Sequence, residues 1–263
     1  MGSVLALSLF CEMMLMVRRL ACSSSSQQFV RAWVDASARV HPSTSLAPGV
    51  VVLAGAVVGP NCELRAGSVV GAGVHIGERT VLGVHASAEN CRIGANCVLH
   101  SGARIGADGF GFTIEPDGSV RKKPQELGVV LGDEVEIGAG TCVDRGSWRD
   151  THVGDHTKID NLVQIGHNVL IGRGCLICAH SSMGGSSQLG DHCIMGGRSA
   201  VADHVTVCSR VRLAANSGVT KHLTEPGDYA GFPAQPAVRW RREVATARRA
   251  AVRQAVQHTT PDV

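Results

Sequence analysis

An aliphatic residue recurs at every sixth position along two long stretches of this chain. The early stretch carries Val40, Leu46, Val52, Val58, Leu64, Val70, Ile76 and Leu82. The later one runs unbroken through Val153, Ile159, Ile165, Ile171, Ile177, Met183, Leu189, Met195, Val201, Val207, Leu213 and Val219. An α-helix would need apolar residues three and four apart, and an amphipathic strand would alternate briefly before a turn of variable length. A period of six fits neither. Glycine commonly follows the aliphatic residue, as in Ile76-Gly77, Ile137-Gly138, Ile165-Gly166 and Ile171-Gly172, where it leaves the backbone free to turn a corner. The pattern predicts short strands joined by tight corners, each aliphatic side chain pointing inward and stacking on its counterpart a coil away. Three hexads close one triangular coil, so residues eighteen apart share a face at one strand spacing, ~4.8 Å. The expected fold class is all-β, a parallel β-helix of hexapeptide repeats over residues 31–223, followed by an α-helical tail.

Interruptions of the period are as informative as the period. The phase slips near Ala88 and resumes at Ile93, Leu99 and Ile105. Residues 107–130 lack it and read as a loop thrown out from the coil; they contain Asp108-Gly109-Phe110-Gly111-Phe112 and the basic Arg121-Lys122-Lys123-Pro124. Long excursions on a solenoid often carry function. After Val219 come the turn-forming Thr224-Glu225-Pro226-Gly227 and Phe232-Pro233, then Val238 to Gln257 with helical composition, so residues 224–263 read as a turn and a basic helix. Arg239, Arg241, Arg242, Arg248, Arg249 and Arg253 against Glu243 make one face of that helix positive, either solvated or open to an acidic partner. The first thirty residues differ from the rest: Glu12, Arg18, Arg19 and the Ser23–Ser26 tract resemble an organelle transit peptide, mitochondrial by preference and plastid as second choice. The apolar run Val4 to Phe10 is too short for a membrane span and has no basic flank before it.

Composition supports a repeat protein: 32 glycines accompany only 3% aromatics. A net charge of +3, with no basic run interleaved with stacking aromatics, gives no footprint for nucleic acid. Ten cysteines are scattered, and Cys62, Cys142, Cys193 and Cys208 sit beside apolar repeat positions, as small buried thiols would. Cys175 and Cys178 form a lone CxxC, read as core packing rather than as a redox pair or half a zinc site. No metal or cofactor is expected.

Chemistry must come from polar residues that break the aliphatic pattern, and the segment Ile159 to Asn168 is the densest. His167 follows an inward Ile by two residues, at a corner from which its imidazole can project. Gln164, Asn168 and Asp160 are candidate orienting groups, as a general base near neutral pH requires. The eighteen-residue rule places Gly185 one coil above His167, where a backbone N–H can approach substrate closely and donate to a developing oxyanion. His204 is two coils plus one residue from His167, on the same face, placed to bind phosphate or orient substrate.

Together, Gly106-Ala107-Asp108-Gly109-Phe110-Gly111, Val135-Glu136-Ile137-Gly138-Ala139, Asp144-Arg145-Gly146, Ile159-Asp160-Asn161, Gln164-Ile165-Gly166-His167-Asn168 and Thr224-Glu225-Pro226-Gly227 resemble the UDP-3-O-acylglucosamine N-acyltransferases of lipid A synthesis over roughly residues 40–245. Asp144 to Thr151 looks most like plant members. The resemblance implies a left-handed β-helix homotrimer with active sites between subunits, taking an acyl group from acyl carrier protein thioester to a UDP-amino sugar. It implies His167 as the base that deprotonates the glucosamine 2-amino group, Gly185 as the oxyanion donor, His204 as a second active-site histidine, and Asn168 and Gln164 around them. The basic tail would dock the carrier protein. Bacterial members carry an N-terminal uridine-binding domain that the residues before Val40 do not match. The related O-acyltransferase of UDP-N-acetylglucosamine is the nearest rival. A γ-type carbonic anhydrase is another, though His152, His156, His167 and His180 lack its spacing. A catalytically silent scaffold is the third.

Overall fold

A computed structural model describes residues 31–231 and 242–251. The hexads form a parallel β-solenoid of three faces. One sheet has ten strands, running from Trp33–Val34 to Gly218–Val219; a second has nine, from Arg39–Val40 to Thr206–Val207; the third has ten, from Ser45–Leu46 to Gly227–Tyr229. Most strands are two residues long, and each pairs in parallel with the strand one coil on, as Val51 with Val69 and Ile165 with Met183. From Val52 and Val153 onward every aliphatic residue of the two ladders is buried, while Val40 and Leu46 near the open first coil are half-buried. A fully buried Leu or Ile contributes roughly 1.5–3 kcal/mol, and stacking places each one where the next coil covers it.

A second inward column lies two residues before the first. Ala56, Cys62, Ser68, Val74, Thr80, Ala86 and Cys97 occupy it, all buried. The space inside a corner admits only small side chains, and the corner carbonyl one coil on needs a donor. Thr80 Oγ1 donates to Gly94 O at 2.9 Å and Thr157 Oγ1 to Gly172 O at 2.8 Å. Cys62, Cys97 and Cys175 do the same with Sγ, each at 3.1 Å from Gly77 O, Gly132 O and Gly190 O. Thiols thus stand in for threonines. Cys175 is buried at one corner and Cys178 exposed at the next, so the CxxC is not a facing pair.

The register records each interruption. Ala88 pairs with Ile105, seventeen residues on, because the corner at Glu89-Asn90 is one residue short. Cys91 pairs with Val129, across an excursion that occupies 108–128. Contrary to the expectation of a loop, this excursion contains a β-hairpin: Phe112–Ile114 pairs antiparallel with Val120–Lys122. Its turn is Pro116-Asp117-Gly118-Ser119, where Asp117 Oδ1 accepts from Ser119 N–H and Gly118 adopts φ +83°. A shorter excursion at 145–150 lengthens the following coil, so Cys142 pairs with Gln164, twenty-two residues on. The last coil also extends past residue 223, since Gly227–Tyr229 joins the third sheet beside Val211–Leu213. Residues 242–251 are helical and largely exposed; the rest of the predicted basic helix, and the first thirty residues, lie outside the described residues. Among the described residues no helix is long and apolar enough to cross a membrane.

Candidate functional site

Both excursions leave the solenoid at the corner between the first and second sheets, and His167 stands on that corner in the next coil. The segment 108–112, the foot of the hairpin and the outer face of the coils enclose a cleft of about 740 Å³. Asp108, Phe110, Phe112 and Lys122 form its outer lip, Asp144, Gln164 and His167 its polar wall, and Met183, Gly185 and Val201 its floor. Asp108 is ion-paired with Lys122 and lies 3.9 Å from Arg145, which ties the hairpin to the second excursion. Phe110 is 86% exposed and packs edge-on against Phe112 with ring centroids 4.9 Å apart.

The imidazole of His167 is held between two glycines. A methyl on Gly109 would lie 2.5 Å from His167 Cβ, and one on Gly185 would lie 2.7 Å from Cε1 and 2.8 Å from Nε2. Only a residue without Cβ lets either backbone approach so closely. His167 Nδ1 is 2.7 Å from Asn168 Oδ1. The Asn168 amide is itself fixed: Nδ2 donates to Arg149 O at 2.7 Å and Ser147 Oγ donates to Oδ1 at 3.0 Å. Arg149 O can only accept, so Nδ2 must face it and Oδ1 must face the imidazole. The Nδ1 atom therefore carries the proton in the neutral ring, and Nε2 is left with a lone pair beside Gly185. Asn168 is fully buried, in the left-handed conformation with φ +61°, and its N–H donates to Thr151 Oγ1 at 2.9 Å.

Gln164 Nε2 donates to Asp144 Oδ2 at 3.1 Å. Burial pushes the Asp144 carboxyl up to about 6, against the opposing pull of the Gln164 hydrogen bond and of His167. Asp144 is a site residue that hexad counting passes over. Eighteen residues before the His167 corner is not its position; the excursion at 145–150 changes the coil length and brings Asp144 under Gln164 and Gly166.

His167, Asn168, Gln164 and Gly185 are thus brought together, and two other expected residues are not. Asp160, expected to orient the base, lies in a separate groove at the edge between the third and first sheets, where its carboxylate accepts from the N–H groups of Asn161 (2.7 Å) and Ala179 (3.1 Å). It caps a corner there. His204 is exposed on the His167 edge two coils on; its N–H donates to Gly185 O at 3.0 Å, and its ring is not part of the cleft lining. By register His204 is the counterpart of Asn168 and Ser186, which share its positive φ, rather than of His167. The Gly185 N–H donates to no group within the chain among the described residues. No group of three metal-ligating side chains is assembled among them either: His152, His156, His167 and His180 occupy different edges and faces.

Comparison with known proteins agrees with the repeat. The bacterial transferase hexapeptide model, of six repeats, matches residues 150–185, and the hexapeptide repeat of succinyl-transferase matches 89–108 and 126–145. The chain is 52% identical over 163 residues to the probable UDP-3-O-acylglucosamine N-acyltransferase 2, mitochondrial, of Arabidopsis thaliana, covering 62% of this chain and 54% of that protein. It is 42% identical over 177 residues to the UDP-3-O-acylglucosamine N-acyltransferase of Methylobacterium nodulans, covering 67% and 50%. The chain spans about half the length of these curated relatives. Among solved structures, Arabidopsis UDP-N-acetylglucosamine acyltransferase superposes with a TM-score of 0.66 at 20% identity, covering 76% of this chain and 70% of that one. The Campylobacter jejuni enzyme of the same name gives 0.59 at 21%, covering 70% and 68%. At that identity the likeness concerns the fold alone.

Proposed function

This chain is a hexapeptide-repeat β-solenoid related in sequence to proteins named UDP-3-O-acylglucosamine N-acyltransferase, and on that premise we propose that it is itself such an N-acyltransferase. It moves a 3-hydroxyacyl group from acyl carrier protein thioester to the 2-amino group of UDP-3-O-acylglucosamine. The observation that carries this reading is the tautomer imposed on His167, whose Nε2 is a free base facing the cleft beside an unused backbone donor. Nε2 takes a proton from the amine as its nitrogen attacks the thioester carbonyl. The developing oxyanion accepts from the Gly185 N–H. As the C–S bond breaks, the imidazolium returns the proton to the leaving thiolate, so the base is regenerated.

Asp144 favours an amine acceptor over the hydroxyl acceptor of the related O-acyltransferases. A buried carboxylate whose ionised form is disfavoured by desolvation gains most from a cationic partner, and an amino sugar, unlike a hydroxyl, can present an ammonium, which releases one proton to solvent before the neutral amine attacks. Phe110, Phe112, Met183 and Val201 give the cleft apolar surface for an acyl chain. His204 and Asp160 lie outside the cleft of a single chain, and their proposed contacts to substrate depend on assembly. The exposed Leu176 and Ile194, paired on the third sheet, and Leu162 at the corner after it support a homotrimer, since assembly would cover them. The exposed Arg242, Arg248 and Arg249 support docking of an acidic carrier protein. The mitochondrial assignment in the name of the Arabidopsis relative supports mitochondrial residence.

Parallel assays of the purified full chain with 3-hydroxyacyl carrier protein and either UDP-3-O-acylglucosamine or UDP-N-acetylglucosamine test the reading. Transfer to the amine that drops at least about 10²-fold in His167→Gln supports it. Transfer to the hydroxyl acceptor alone moves the chain to the O-acyltransferases, and a native fold with no turnover on either leaves the scaffold reading.

A further inference from the structure

The short excursion before the site does more than lengthen a coil. Gly146 begins it without room for a Cβ, which would lie 1.8 Å from Arg149 O, so the chain folds back on itself and turns the Arg149 carbonyl toward Asn168. Arg149 then grips the corner twice. Its carbonyl accepts from Asn168 Nδ2 at 2.7 Å, and its guanidinium Nε donates to the Asn168 carbonyl at 2.8 Å. A second guanidinium nitrogen, Nη2, reaches one coil further and donates to Ser186 O at 3.1 Å. Trp148 backs the cation, with Arg149 Cζ 4.6 Å from its ring. The planar fork holds the two carbonyls through two nitrogens in fixed geometry, whereas an ammonium offers a single nitrogen on a flexible stem.

We propose that Arg149 is a positioning residue for the base: by clamping the Asn168 and Ser186 corners it fixes the Asn168 amide, and through that amide the tautomer of His167. The inference rests on His167 acting as general base. An asparagine amide can turn over at little intrinsic cost. Turned over, its NH2 would face Nδ1, Nδ1 would become the acceptor, and the ring proton would move to Nε2, where the base has no lone pair to offer. The Arg149 carbonyl excludes that state because it requires Nδ2, and the guanidinium keeps the carbonyl in place.

The test uses the full chain, labelled with ¹⁵N-histidine, with the His167 signals assigned by their loss in His167→Gln. In the parent, His167 reads as the Nδ1–H tautomer; in Arg149→Ala it reads as a mixture. In acyl transfer, Arg149→Ala lowers kcat about tenfold or more, part of the roughly 10²–10⁴ a positioned base supplies, with acceptor KM within about threefold. Arg149→Lys does not restore the rate, and added ethylguanidinium partly restores it in Arg149→Ala. In an Asn168→Ala background, Arg149→Ala costs less than about twofold further, because the two residues act as one unit. The proposal is overturned by an unchanged tautomer with kcat within about twofold of the parent, or by an equal loss in the Asn168→Ala background. If Arg149→Ala does not fold, Arg149→Lys carries the same measurements. Full activity in His167→Gln would instead defeat the base reading, which the tautomer signal does not depend on.

Discussion

Gly185→Ala separates the geometry of the base from the stability of the fold. The added methyl would sit 2.7 Å from His167 Cε1 and 2.8 Å from Nε2, where ordinary contact begins at 3.4 Å. Gly185 does not have a positive φ, so alanine meets no backbone strain, and the atoms it displaces belong to a half-buried side chain that can swing outward. The fold should therefore hold, with stability changed by less than about 1 kcal/mol. The ring, however, must retreat by roughly half an ångström or more from the reacting position, and displacement on that scale costs up to about 10²-fold in rate, or about 2.7 kcal/mol. The expected result is a kcat lower by one to two orders of magnitude with an unchanged melting transition. Gly218→Ala serves as control, since a Cβ there meets nothing within 4 Å. A Gly185→Ala enzyme that folds normally and keeps kcat within about threefold would refute the placement of the imidazole against this backbone.

His167→Gln should abolish turnover by at least about 10²-fold without lowering the melting temperature, because the half-buried ring contributes little core area; a variant within tenfold of the parent would count against it. Asp144→Asn should stabilise the protein at neutral pH. The carboxyl binds its proton more tightly folded (about 6) than at its ordinary value of 3.8, so its ionisation opposes folding fully above pH about 6 and progressively less toward pH 4. The gain at pH 7.5 should be roughly 1–2 kcal/mol after allowance for solvent screening, shrinking as pH falls through that window; chemical denaturation at pH 4.5 and 7.5 would show a constant gain if the cause were otherwise. Cys175→Thr should change stability by less than about 1 kcal/mol, since Thr157 fills the same inward position one coil earlier with the same carbonyl bond. Cys175→Leu should destabilise by about 1–3 kcal/mol by overfilling the corner.

The hexad by itself determined the solenoid, its inward ladder and the pairing of Ile165 with Met183, because a period set by backbone geometry repeats in every coil and needs no distant information. It also located His167 and Gly185 on one edge, since no insertion separates them and eighteen residues always return to the same face. The two segments that leave the coil, 108–128 and 145–150, obeyed no such count. The hairpin pairing of Phe112–Ile114 with Val120–Lys122, the coil lengthened at 145–150 and the arrival of Asp144 beneath Gln164 depend on how many residues leave the coil, which the period cannot register. The fate of polar side chains was likewise a tertiary matter. Asp160 and Asn168 are both polar residues near a corner, yet Asp160 caps backbone N–H groups on one edge while Asn168 is buried on another under Ser147, Arg149 and Thr151. Spacing tells on which edge a residue falls; only the packed neighbours decide which atom it presents, and at this corner that choice puts the proton on Nδ1 of His167 and leaves Nε2 free.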